Sequence, residues 1–178
     1  RILADVLQAL HYAHNRVDTF GKPMRIVHRD VNPRNIMISI RGEIKLIDFG
    51  VAKSDTKKEQ TIGHVLKGKF SYMSPEQIEG TKLDSRGDLF SVGLVLHELV
   101  ENRRPFVKMH EMQILKKILA GAIPPMEGPT DHPQPGVVRA IHQRSLEVNP
   151  DNRYQSAKEM REALVEAAQP CGGLATDG

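Results

Sequence analysis

The sequence is poor in several things that would direct it to a specialised class. It has a single cysteine, Cys171, in a stretch of small and polar residues, so a disulfide scaffold is excluded and a reducing compartment is the natural expectation. It has no tryptophan and only 4% aromatic residues, which argues against a nucleic-acid surface built from stacking rings interleaved with cations. No apolar run approaches the roughly 18 to 20 residues that span a bilayer. The longest, from Val92 to Leu96, is interrupted by His97. No leader peptide is visible, because Arg1 opens directly into an amphipathic pattern; a start in mid-pattern also leads to the expectation that residues are missing upstream. What remains is 178 residues, 39% hydrophobic and 26% charged, the make-up of one globular domain.

The formal charge of +3 is small but concentrated. Lys53, Lys57, Lys58, Lys67 and Lys69 face only Asp55 and Glu59 between Val51 and Lys69, an excess equal to the net charge of the whole chain. Such a stretch reads first as a solvated loop.

Hydrophobic spacing organises the rest. Leu3, Val6, Leu7, Leu10 and Ala13 predict a helix over the first 16 residues, broken by Phe20-Gly21-Lys22-Pro23. Ile36 to Ile40 and Ile44 to Ile47, separated by Arg41-Gly42-Glu43, predict a β-hairpin. Asp48 to Met73 lacks a period and reads as a long loop, a length that in a compact domain goes with function or disorder. Beyond Ser74 the pattern is helical: a short turn over Pro75 to Ile78, a helix from Asp88 to Val100 that is apolar on nearly every face, then helices marked by Met112 to Leu119, by Val137 to Leu146, and by Ser156 to Leu164 with a Ser-x-x-Glu capping box. After Ala168 the sequence Gln169-Pro170-Cys171-Gly172-Gly173 stops the helix, and residues 169–178 are expected to be a disordered tail.

The chemistry lies in His28-Arg29-Asp30-Val31-Asn32-Pro33-Arg34-Asn35, followed by the hairpin and Asp48-Phe49-Gly50. A hairpin that returns the chain to its start brings two carboxylates and an amide together. That set suits phosphoryl transfer, which needs a carboxylate near the attacking hydroxyl and oxygen ligands for Mg²⁺. In this scheme Asp30 orients the hydroxyl and accepts its proton, while Asn35 and Asp48 ligate metal.

These motifs resemble the bacterial eukaryotic-type (Hanks-type) Ser/Thr protein kinases, over residues 1 to about 168. His28-Arg29-Asp30 with Asn35 is similar to the catalytic loop, Asp48-Phe49-Gly50 to the metal motif, and Ser74-Pro75-Glu76 to the usual Ala-Pro-Glu. Asp88-Leu89-Phe90-Ser91-Val92-Gly93 resembles the opening of the central buried helix, and Asn149 to Arg153 the segment whose arginine pairs with that glutamate. The resemblance implies an α+β, predominantly helical C-terminal lobe whose small hairpin carries the catalytic and metal motifs, with ATP and Mg²⁺ as cofactors, a protein as substrate and the cytoplasm as location. It further implies that Asp88 accepts hydrogen bonds from the catalytic-loop backbone, that Glu76 and Arg153 form a buried ion pair, that His28 and Phe49 stack, and that Met37 lies beneath adenine; on spacing alone Met37 would be core. Arg29 beside Asp30 goes with control by loop phosphorylation, for which Thr61, Thr56 and Ser54 are candidates.

Two positions depart from the family. Asn32 stands where Ser/Thr kinases carry a lysine that reaches the transferring phosphate, and Lys69 follows Gly68 where a threonine is usual. One reading is that Lys69 extends toward Asp30 and replaces the lost cation. The competing donor is Arg34, at a spacing found in many tyrosine kinases. An inactive pseudokinase or protein-binding module is the alternative. No Gly-rich phosphate loop or strand lysine occurs in the 178 residues, so the ATP-covering N-lobe is expected to be missing and the chain alone to be weakly active or inactive.

Overall fold

The computed structural model describes residues 1–49, 70–127 and 132–173. The chain opens with helix α1 (Ile2–His14) and passes a 3₁₀ turn (Pro33–Asn35) into a two-stranded antiparallel hairpin, β1 (Ile36–Ile38) and β2 (Ile44–Leu46); the described elements from Phe70 onward are all helical. The helices are α2 (Pro75–Glu79), α3 (Ser85–Glu101), α4 (Glu111–Leu119), α5 (Pro135–Ser145) and α6 (Ala157–Ala168). Chains of this α+β type with few strands derive their stability from helix packing, and α1 against α6 and α3 against α5 are the principal contacts.

Helix α3 is the axis. Every residue from Gly87 to His97 is buried, as its apolar character on all faces requires. Leu89, Phe90, Val92 and Leu94 are fully enclosed, each contributing on the order of 1.5–3 kcal/mol through removal of apolar surface from water. Gly93 permits α5 to lie close: a Cβ there would collide with Ser145 Oγ. The helix starts three residues before the expected Asp88, because the Asp84 side chain accepts the backbone N–H of Arg86 and caps it. The polar Ser85, Arg86 and Gly87 hide this first turn from any apolar pattern.

The hairpin is shorter than its isoleucines suggest. Ile36 pairs with Leu46 and Ile38 with Ile44, while Ile40 is wholly exposed beyond the pairing. Where the chain was expected simply to break, Val17 bridges Pro23, and the Asp18 carboxylate accepts the N–H groups of Phe20 and Lys22. Past α6 the chain continues into a 3₁₀ turn, Gln169–Cys171, with Cys171 exposed, so residues 169–171 have local structure. No helix among the described residues is long and apolar enough to cross a membrane.

Candidate active site

The loop between α1 and β1 is fastened by one carboxylate. Asp88, in the first turn of α3 and 1% exposed, accepts the backbone N–H of Arg29 on Oδ1 and that of His28 on Oδ2, both at 2.8 Å. Its Oδ2 also accepts from His14 Nε2 at 2.8 Å, so the last turn of α1 reaches the same anion. Three donors around a buried carboxylate satisfy the rule that such a charge must be paired. Arg29 between these anchors adopts a left-handed conformation, φ +67°, costly for a residue with a Cβ. Its carbonyl accepts from Gln77 Nε2 at 2.8 Å.

His28 is fully buried and uses both ring nitrogens. Nε2 donates to the carbonyl of Ile47 at 2.9 Å, and Nδ1 accepts from the Asp30 N–H at 3.3 Å, an arrangement that requires the neutral Nε2–H tautomer. The ring lies 4.5 Å from that of Phe49, tilted by 51°. It therefore ties the start of the loop to the segment that leaves β2.

Asn32 holds Asp30. Its amide nitrogen donates to the Asp30 carbonyl at 2.9 Å and to the carboxylate Oδ1 at 3.2 Å, while its amide oxygen caps the following 3₁₀ turn by accepting the Arg34 N–H. Asn35 donates to the same Asp30 carbonyl at 2.7 Å, which turns its amide oxygen the other way. The Asn35 carbonyl takes the Ile47 N–H at 2.9 Å, extending the ladder by one bond and returning the chain to Asp48, which has φ +57°. One turn and one hairpin thus set Asp30, Asn35 and Asp48 relative to one another. Of these three, Asp30 borders a cleft of about 570 Å³, which Val31, Tyr72, Met73, Thr81 and Lys82 also line.

Residues 1–165 match the protein kinase domain family. The chain belongs to that family. It is 36% identical over 165 residues to the tyrosine-protein kinase MasK of Myxococcus xanthus and 36% identical over 168 residues to the serine/threonine-protein kinase PknB of Mycolicibacterium smegmatis, with 92% of the chain covered in each case. A probable serine/threonine-protein kinase of Streptomyces coelicolor is 36% identical over 180 residues, covering 97% of the chain. In each comparison the chain spans about a quarter of the length of the relative.

In this kinase lobe Glu76 and Arg153 meet in a two-pronged pair, Nη1 to Oε1 at 2.8 Å and Nη2 to Oε2 at 2.9 Å, between α2 and the segment before α6. Tyr72, just ahead of α2, donates its hydroxyl to Glu98; burial and the Glu98 carboxylate push its phenol well above the usual range. Ser91 donates to the Tyr72 carbonyl at 2.7 Å, so this segment is also held on α3.

Met37 is 52% exposed on β1, which corrects the reading of that residue as core. The Arg34 side chain is exposed and near enough to Tyr72 to bear on its phenol electrostatically; among the described residues it forms no ion pair. Gly50, Ser54, Thr56, Thr61 and Lys69 lie outside the described residues. Sequence reasoning missed His14, Gln77 and the donation by Asn32. For His14 a signal existed: it falls one turn beyond Leu10 and two beyond Leu7 on the buried stripe of α1, where a polar ring requires a partner.

Proposed function

We propose that the chain is the catalytic lobe of a Ser/Thr protein kinase that transfers the γ-phosphoryl of ATP to a protein hydroxyl with Mg²⁺. The observation that carries the reading is the fixation of Asp30: its carboxylate is aimed by Asn32 and its carbonyl is gripped by Asn32 and Asn35, at the mouth of an open cleft.

The oxygen donors fit the cofactor. Mg²⁺ takes hard oxygen ligands and is usually held by one or two protein groups plus substrate phosphates. Asn35, its amide nitrogen already engaged, has an oxygen to offer, and the exposed Asp48 supplies a carboxylate. Bound Mg-ATP supplies the phosphoryl group and the cation that neutralises its charge. Met37 offers an unburied apolar surface on β1 for the adenine. Asp30 orients the incoming hydroxyl and accepts its proton, and Asn32, holding Oδ1, limits the directions in which that carboxylate turns. The ATP-covering lobe is a partner this chemistry requires, and a cytoplasmic site fits the use of ATP.

Radiolabelled ATP and a protein substrate test the reading in a protein that includes the ATP-covering lobe. Transfer is expected, with Asp30→Asn lowering it by about a hundredfold or more; equal transfer by the variant would refute it. A tyrosine acceptor is a second reading, favoured by Arg34 and by the likeness to a tyrosine-protein kinase. Phosphoamino-acid analysis of the same product separates the two.

A further inference from the structure

Gln77 follows the ion-paired Glu76 and bridges two parts of the site. Its amide oxygen accepts the Ser74 N–H at 3.0 Å, closing the capping box of α2, and its amide nitrogen donates to the Arg29 carbonyl at 2.8 Å. We propose that Gln77 is a positioning residue for Asp30, acting through the peptide unit that joins Arg29 to Asp30. The inference rests on the reading of Asp30 as the carboxylate that receives the acceptor proton.

The geometry gives the reason. That peptide unit has one carbonyl and one N–H. The carbonyl is held by Gln77 at 2.8 Å, whereas the N–H reaches His28 Nδ1 at 3.3 Å, a longer and weaker bond. Arg29 itself stays at φ +67° although that conformation is unfavourable for it. Asp88 holds its N–H from α3, and Gln77 holds its carbonyl from α2. Release of the carbonyl lets the plane rotate toward ordinary backbone geometry, and the Asp30 Cα moves with it. Since Gln77 sits one residue from Glu76, whose carboxylate is clamped by Arg153, the bridge also makes the placement of α2 felt at Asp30.

A role as a helix cap alone predicts something different, and one substitution separates the two. Gln77→Glu keeps an oxygen for the Ser74 N–H, and Ser-x-x-Glu is a capping box in its own right. It removes the donor to Arg29 and sets an anion against that carbonyl. In the 178-residue chain, amide hydrogen exchange at Asp30 is expected to accelerate by about tenfold, with exchange in α2 unchanged. In the kinase with its ATP-covering lobe, kcat is expected to fall about tenfold with KM for ATP and peptide within about twofold.

Ser74→Ala provides the comparison: it removes the hydroxyl that donates to Gln77 Oε1 at 3.2 Å and keeps both the Ser74 N–H that this oxygen accepts and the Gln77 amide group that donates to Arg29. Unchanged Asp30 exchange in Gln77→Glu overturns the proposal, as does equal acceleration in Ser74→Ala. Wild-type kcat in Gln77→Glu overturns it as well. If exchange responds as expected but the unsubstituted kinase transfers no phosphate, the positioning of Asp30 by Gln77 stands and the proposed function falls.

Discussion

Removal of the Arg153 side chain gives the sharpest test of how this lobe is held together. Arg153 is 1% exposed, and each of its five guanidinium N–H groups has an acceptor. Nε donates to the Glu147 carbonyl at 2.7 Å, Nη1 to Glu76 Oε1 and to the Arg86 carbonyl at 3.1 Å, and Nη2 to Glu76 Oε2 and to the Val148 carbonyl at 2.9 Å. The guanidinium also lies 4.9 Å from the centre of the Phe90 ring. Arg153→Ala strands a nearly buried carboxylate, leaves three carbonyls without this donor and opens a void. Breaking a buried pair from one side costs about 3–5 kcal/mol, a large part of the roughly 5–15 kcal/mol that holds an ordinary domain folded. Followed by far-UV circular dichroism in urea, and with a slope of about 2 kcal/mol/M, a loss of about 4 kcal/mol lowers the midpoint by about 2 M. The double substitution Glu76→Gln with Arg153→Met is expected to be less damaging than Arg153→Ala alone, since no charge is then left buried. A loss below about 1 kcal/mol for Arg153→Ala, or a double variant worse than the single, would show that the pair is not what anchors α2.

Two further outcomes follow from other parts of the lobe. His97 Nδ1 and His142 Nε2 lie 3.0 Å apart between α3 and α5, and burial, aided by His97, depresses the His142 pKa to about 4 from an ordinary 6.5, with Glu101 opposing. Between these values the unfolded chain binds a proton that the folded chain refuses, so stability present above pH 6.5 is lost as pH falls toward 4, by about 3 kcal/mol; urea titrations at pH 7.5 and 4.5 should show a smaller pH difference in His142→Leu than in the unsubstituted chain, and an equal difference would refute the assignment. For the cation absent from position 32, Lys69→Ala is expected to lower turnover tens- to a thousandfold in the kinase with its ATP-covering lobe, and Arg34→Ala to have little effect; the opposite pattern would assign the role to Arg34.

What could be read in advance depended on whether a contact leaves a local trace. The stripes of α1, α4, α5 and α6 follow from spacing alone, because burial of one face imposes a period on the chain. The motif residues around Asp30 and Asp48 were recognisable as a spaced set, and the contacts of Asp88 and the Glu76–Arg153 pair through family resemblance. His14, Gln77 and Asn32 were not. His14 meets Asp88 across 74 residues and Gln77 meets Arg29 across 48, separations with no periodic signature. Asn32 is a local case, but its donation to Asp30 depends on the backbone turn that points the amide back, and the residue was read for the lysine it replaces. Met37 lies on a strand too short to carry a pattern that separates a core position from the exposed one it occupies.

The anion at the head of α3 has a consequence for how this sequence is free to change. His14, Asp88 and the His28–Arg29 backbone share one desolvated charge, so the helix that begins the chain, the helix at its centre and the loop between them form a single mutational unit. Substitution of Asp88 strands the His14 ring together with the two backbone N–H groups, whereas substitution of His14 leaves the carboxylate with both backbone donors, so the heavier cost falls on position 88. Viable variants are therefore expected to change position 14 while keeping Asp88, and not the reverse.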